Sequence, residues 1–487
     1  MAFPNFLFLA TCVYETKNAP RGSHCGGEKS SCERNPPQGE CVLHILFCKN
    51  RTAVYGNYGD KGCEEVTNEQ RYRRYLWILL GVSMSLFFFC LFLFVEEKIP
   101  DHMNLVCGEE QNLDFHLPQD AVVYEAAVEA DASGATAVPK ENLHITADSV
   151  IGHETGDYTI SCKLFGIIPI KSIQVSVVEQ NWVYPCGDPV GIYMKTDGVL
   201  VIGTGSIKGM DGILYEPAYH IVQSGDYILS ANGIDTPNKE TLIEVIEKSQ
   251  GEPVILCVRR GEEEIQMELQ PVMTEEKDYK VGIWVRSDTQ GIGTMTYVDS
   301  QGHFGALGHG INDIDTSTLL DLKKGTLYAS TIRSVIKGTK GVPGELAGVI
   351  HYRDDAILGT IEQNTETGIF GTLSCSLDCF HLEGPVEVAY KQEVKTGPAV
   401  IRSSLDGTVR EYEIEIEKVY LNSSDANKGM VIKVTDPKLL ELTGGIVQGM
   451  SGSPILQDGK LIGAVTHVFV QDSTSGYGIF IENMLNR

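Results

Sequence analysis

This 487-residue sequence is short of positive charge: 39 lysines and arginines stand against 65 aspartates and glutamates, for a formal net charge of −26. So acidic a chain repels phosphate backbones, and no basic stripe interrupts it, which excludes nucleic acid as a partner. Thirteen cysteines are present, and Cys12, Cys25, Cys32, Cys41, Cys48 and Cys63 fall before residue 75, yet no two have C-x-x-C spacing. No metal site and no other cofactor is therefore expected. Residues 1–70 lack a sustained apolar period, and ERNPPQGE and GNYGDKG read as loop. The stretch reads either as a disordered extension or as sequence upstream of a true start near Arg71, which would leave a short basic n-region before the next segment.

Residues 75–95, YLWILLGVSMSLFFFCLFLFV, lack any charge. At about 1.5 Å per helical residue they span the roughly 30 Å of a bilayer core, and a run with no polar face is longer than a globular core needs. Residues 71–97 are thus expected to form a transmembrane anchor, retained or cleaved as a late signal. Arg71, Arg73 and Arg74 precede it and Glu96 and Glu97 follow it, which keeps the N-terminal flank in the cytoplasm and delivers everything after Val95 outside it.

The remainder, with 42% hydrophobic residues in the whole chain, is enough for two or three domains. Residues 98–175 are acidic and mixed and read as a linker with short strands. Residues 176–272 have a different texture. GDPVGIYMKTDGVLVIG gives a loop and two strands; the Gly225-Asp226 turn, the Asn232-Gly233 hairpin turn and an amphipathic helix from Lys239 to Lys248 follow in order. This resembles a PDZ domain, which adds an extended peptide to a sheet edge beside its helix and binds a carboxylate with a glycine-containing loop. Val190, Gly191 and Ile192 stand where that loop is expected, and a PDZ peptide ligand would be a partner; the competing reading is a small mixed domain without ligand.

From residue 273 to 487 short β runs alternate with glycine turns. In VREYEIEIEKVYL, Tyr412, Ile414 and Ile416 alternate with Glu413, Glu415 and Glu417, the period of a strand with one wet face. Many such strands without long helices indicate a barrel or sandwich. GGIVQGMSGSPI places Ser451 between Gly449 and Gly452, so that the hydroxyl projects and the amides of Gly449 and Ser451 can form an oxyanion hole; Ser453, followed by Pro454, is the weaker nucleophile. His309, in GHFGALGHGINDID, precedes Ser451 by 142 residues, close to the roughly 138 of chymotrypsin-like enzymes. His303 competes with it, and His467 on a strand after the serine reads as structural. The same template puts the acid roughly 45 residues after the histidine, at Asp354 or Asp355.

The block from MVIKVTDPKLL to GAVTHVFV, together with ALGHGI and TGGIVQGMSGSP, resembles the stage IV sporulation protein B family, signalling serine peptidases of endospore-forming bacteria. The resemblance covers the apolar run, the PDZ-like region and the peptidase region. It implies a mainly β chain with an N-terminal transmembrane helix, a PDZ-like α+β domain and a chymotrypsin-like double β-barrel. It also implies His309 as base, Ser451 as nucleophile and Asp436 as acid, in preference to Asp354 and Asp355. By the same resemblance, the peptidase crosses the forespore inner membrane, processes other copies of itself, and cleaves a membrane-bound regulator in the intermembrane space, triggering pro-sigma-K processing. Two alternatives remain: a non-catalytic PDZ scaffold, against which the intact residues argue, and an HtrA-type stress protease, in which the peptidase precedes the PDZ domain rather than following it.

Overall fold

The computed structural model describes residues 68–113, 115, 122–127, 142–146, 149–164, 166–275 and 278–486. The readings made for residues 1–70 fall almost wholly outside them. The first element is a single helix, α1 (Asn68–Lys98), whose residues 70–98 are long and apolar enough to cross a membrane. Up to about residue 90 its apolar side chains are uncovered: Trp77, Leu79 and Phe87 are each more than 60% exposed, at 72%, 67% and 64%, while Val95 near its end is buried. A water-soluble core helix would bury one such face.

The segment read as a linker is instead a packed module. Strand β1 (His102–Val106) pairs in parallel with the last of the group, and β2 (Val122–Ala127), β3 (Gly156–Leu164) and β4 (Ile168–Val178) complete a sheet in the order β1-β4-β3-β2. Met103, Leu105, Ile160 and Ile173 are fully buried in it, together with Ile99 from the end of α1. Its apolar residues come from short strands far apart in sequence, so no local period announces the core.

The first barrel begins earlier than residue 273. Strand β5 (Pro189–Thr204) runs straight out of it into an α+β insert made of β6 (Tyr227–Ala231), α2 (Lys239–Lys248), β7 (Val254–Arg260) and β8 (Glu263–Leu269). The chain returns along β9 (Ile283–Val298) and continues through β10 (His303–Ala306), β11 (Leu322–Ile336), β12 (Ile357–Thr365) and β13 (Gly368–Leu373). Pairing closes in the order β5-β11-β12-β13-β10-β9 and back to β5. Phe304, Leu327, Ile369 and Met295 fill the interior.

Within the insert, local signals read from sequence are realised. Asn238 caps α2 by accepting from the Thr241 amide, and Asn232 and Gly233, both at positive φ, turn the hairpin in which Ala231 faces Ile234. The loop assignment is corrected. Val190, Gly191 and Ile192 lie in the barrel wall, paired with Gly293, Ile292 and Gly291 on one side and with Ala329, Tyr328 and Leu327 on the other. Their backbone groups are committed to the ladder, leaving none for a peptide carboxylate. The insert's strand edge is also taken: Val199 and Leu200 pair with β6 on one side, and residues 200–204 pair with 283–286 on the other. Val281, Ile283 and Val285 pack with Leu242, Val245 and Ile246 of α2, so the chain itself fills the edge beside the helix.

The second barrel is continuous: β14 (Gly397–Ser404), β15 (Val409–Val419), β16 (Met430–Val434), α3 (Pro437–Thr443), β17 (Pro454–Gln457), β18 (Lys460–Phe469) and β19 (Asp472–Phe480). It closes as β14-β15-β16-β19-β18-β17. Tyr412, Ile414 and Ile416 point inward and the three alternating glutamates outward, as the sequence period requires. The chain is thus mainly β, with the two barrels expected of a chymotrypsin-like peptidase.

Candidate active site

His309 stands on the turn that follows β10, where Leu307 and Gly308 both adopt positive φ, 71° and 70°. A branched residue rarely tolerates that conformation, and here the surroundings enforce it: the Leu307 amide donates to the Thr294 carbonyl at 3.2 Å. Beyond the histidine, Asn364 of β12 pins the turn, accepting from the Ile311 amide and donating to the Ile311 and Leu320 carbonyls, each at 2.9 Å. Neither Thr294 nor Asn364 was anticipated from sequence.

Ser451 stands on the tight turn between α3 and β17, with Gly449 and Gly452 at φ of 98° and 92°. Gly452 admits no side chain, since a Cβ there would lie 2.1 Å from the Thr294 carbonyl oxygen. Strand β9 of the first barrel holds this turn of the second. Thr294 Oγ1 donates to the Gly449 carbonyl at 2.7 Å, the Thr294 amide to the Ser451 carbonyl at 3.0 Å, and Thr296 Oγ1 to the Gly452 carbonyl at 2.8 Å. Among the described residues, the amides of Gly449 and Ser451 donate to no protein acceptor. Both are therefore free to serve a substrate oxygen.

These two turns face one cavity of about 450 Å³, lined by His309, Gly449, Ser451 and His467 among others. The Ser451 hydroxyl donates to the Thr466 carbonyl at 2.7 Å. His309 Nδ1 lies 2.8 Å from the Gly310 carbonyl oxygen; a proton on Nδ1 satisfies that acceptor and leaves the Nε2 lone pair free. Burial holds the His309 imidazole below its ordinary value, with the Gly310 carbonyl acting against it. His467, read as structural, lies beside it, ring centroids 4.9 Å apart at 34°. It too is lowered, by loss of solvation and then by the His309 ring, with Asp425 opposing.

The acid is corrected. Asp436 is the N-cap of α3, where Oδ1 accepts from the Lys438 and Leu439 amides at 2.8 and 2.9 Å. It does not line the cavity and makes no hydrogen bond to His309. The D-P-K sequence is itself a helix start, with Pro437 in the first turn and Gly444 in the left-handed C-cap conformation. Asp354 and Asp355 sit in an exposed 3₁₀ turn, the second paired with Arg353 at 3.3 Å. Ser453 is fully buried, and His303 binds Asp299 at 2.8 Å in its own turn, so neither competes for the site.

No curated protein matches this chain. Among solved structures it is similar to the active form of the Rv3671c protease of M. tuberculosis, with 15% identity and TM-score 0.24 over 41% of this chain and 74% of that one. The inactive form of that protease aligns with 14% identity and TM-score 0.23 over 40% and 81%. Residues 277–485 match the family model of the SpoIVB peptidase S55, and the chain is a serine peptidase.

Proposed function

We propose that this chain is a membrane-anchored serine endopeptidase in which Ser451 is the nucleophile and His309 the base. The observation that carries the reading is the convergence of both side chains, with two unpaired amides, on one cavity. The Ser451 hydroxyl leaves the Thr466 carbonyl and turns to Nε2 of His309. Nε2 takes its proton as Oγ attacks the scissile carbonyl, and the Gly449 and Ser451 amides receive the oxyanion. The imidazolium then returns the proton to the leaving amine, and water resolves the acyl-enzyme by the same route. The Gly310 carbonyl takes the orienting part usually given to a carboxylate: it fixes the tautomer, though without the negative charge that would stabilise the imidazolium.

The family points to the setting. Helix α1 anchors the enzyme in the forespore inner membrane, the catalytic barrels lie outside the cytoplasm that made them, and the substrates are another copy of the chain and a membrane-bound regulator of pro-sigma-K processing. The filled edge of the α+β insert favours the reading of this region as a mixed domain without peptide ligand. Incubation of the full chain in detergent with a fluorophosphonate should label Ser451, and Ser451→Ala should lose both label and self-processing with unchanged far-UV circular dichroism. Labelling that survives in Ser451→Ala would remove this serine from the mechanism.

A further inference from the structure

Among the described residues, the cavity wall carries no aspartate, glutamate, lysine or arginine, in a chain whose formal charge is −26, and its titratable groups are His309 and His467. Next to the nucleophile the wall is formed by Ile446, Val447 and Gln448 from the turn before Ser451, and by Val468 and Val470 after His467.

In enzymes of this architecture the pocket beside the nucleophile chooses the residue before the scissile bond, and a carboxylate six residues before the serine makes trypsin select bases. The corresponding position here is Gly445. It could not hold an acid of any kind: its φ is 130°, and a Cβ would lie 2.0 Å from the Ser473 carbonyl oxygen. That carbonyl accepts the Ile446 amide at 2.7 Å, so backbone occupies the space a side chain at this position would need. A charged residue entering this pocket would lose its hydration with no counter-charge to replace it.

We propose that the enzyme cleaves after an uncharged, apolar residue, seated between residues 446–448 and 467–470. The inference rests on the serine peptidase reading and names the substrate side chain that the site accepts. A hydrophobic pocket discriminates by about 10- to 200-fold per methylene-scale difference, and a desolvated charge is a larger penalty than that.

The test is digestion of a randomised peptide library by the full chain in detergent, with cut sites read by mass spectrometry and cuts also made by Ser451→Ala subtracted. Apolar residues should precede the cut at least about tenfold more often than Arg, Lys, Asp or Glu. Val468→Asp should move the preference toward Lys and Arg, and an unmoved preference would place the pocket elsewhere and overturn the proposal. Equal cleavage after charged residues, in enzyme that labels with fluorophosphonate at Ser451, overturns the specificity and leaves the peptidase reading standing. Absence of both labelling and cleavage overturns both.

Discussion

The two barrels are built alike and encoded differently. The second draws all six strands from one uninterrupted stretch, Gly397 to Phe480. The first takes one strand from residues 189–196 and the others from beyond residue 287, with the α+β insert between them. Closure of a barrel depends only on which edges pair, not on the chain between them, and loop closure costs grow slowly with length. A long insertion is therefore tolerated where β5 and β9 run side by side out of the barrel. What the comparison teaches is that the active site is a joint product. The continuous barrel brings Ser451 and the Gly449 and Ser451 amides to the cavity; the interrupted one brings His309 and, through Thr294 and Thr296, the hydrogen bonds that hold the serine turn.

The sharpest break of that partnership removes the first barrel's base. His309→Ala should lower kcat by about 10⁶-fold, and its combination with Ser451→Ala should be scarcely worse, because residues that act as a unit are not additive. A multiplicative loss in single-turnover assays would mean that the two barrels contribute independently. The wild-type pH profile carries the same information. Since burial lowers the His309 pKa, the base stays neutral below the ordinary imidazole value of about 6.5, and the acid limb of kcat/KM should lie beneath it. The sign for stability agrees: on acidification the unfolded imidazole protonates first, so stability falls as pH drops from about 6.5 to the folded value, then levels off for this group.

A smaller effect probes the latch between the barrels. Thr294→Val leaves the Gly449 carbonyl without its donor and frees the oxyanion turn to shift. An unmatched buried group costs about 1–3 kcal/mol, so kcat/KM should fall roughly 10- to 100-fold, with Thr294→Ser restoring it. Normal turnover in Thr294→Val would show that the second barrel shapes its turn unaided.

The smallest effect concerns Asp436. As a helix cap it should tolerate Asn, which caps equally well, while Asp436→Ala should cost about 0.5–2 kcal/mol in a denaturant melt. Loss of about 10⁴ in kcat for Asp436→Asn is the signature of a triad acid and would return the carboxylate to the catalytic apparatus.

Local signals in the sequence determined a good deal. The uncharged run became one uncovered helix, and the alternation at 412–417 became a strand with one buried face, because both patterns act over a few residues. The glycines around Ser451 and the punctuation around His309 marked two special turns, since positive φ leaves few residue choices. Tertiary structure alone decided the partners. Val190, Gly191 and Ile192 read as a binding loop, and only the two neighbouring strands make them barrel wall. Asp436 lay near the serine in sequence yet was claimed by the amides of its own helix, the closest donors available to it. Thr294, Asn364 and His467 carry no local signature, and they matter only because barrel closure brings strands from distant parts of the chain against the two turns. Periodicity and backbone preference are properties of neighbouring residues, whereas a catalytic constellation is set by hydrogen-bond pairing across a closed sheet, which no short stretch of chain contains.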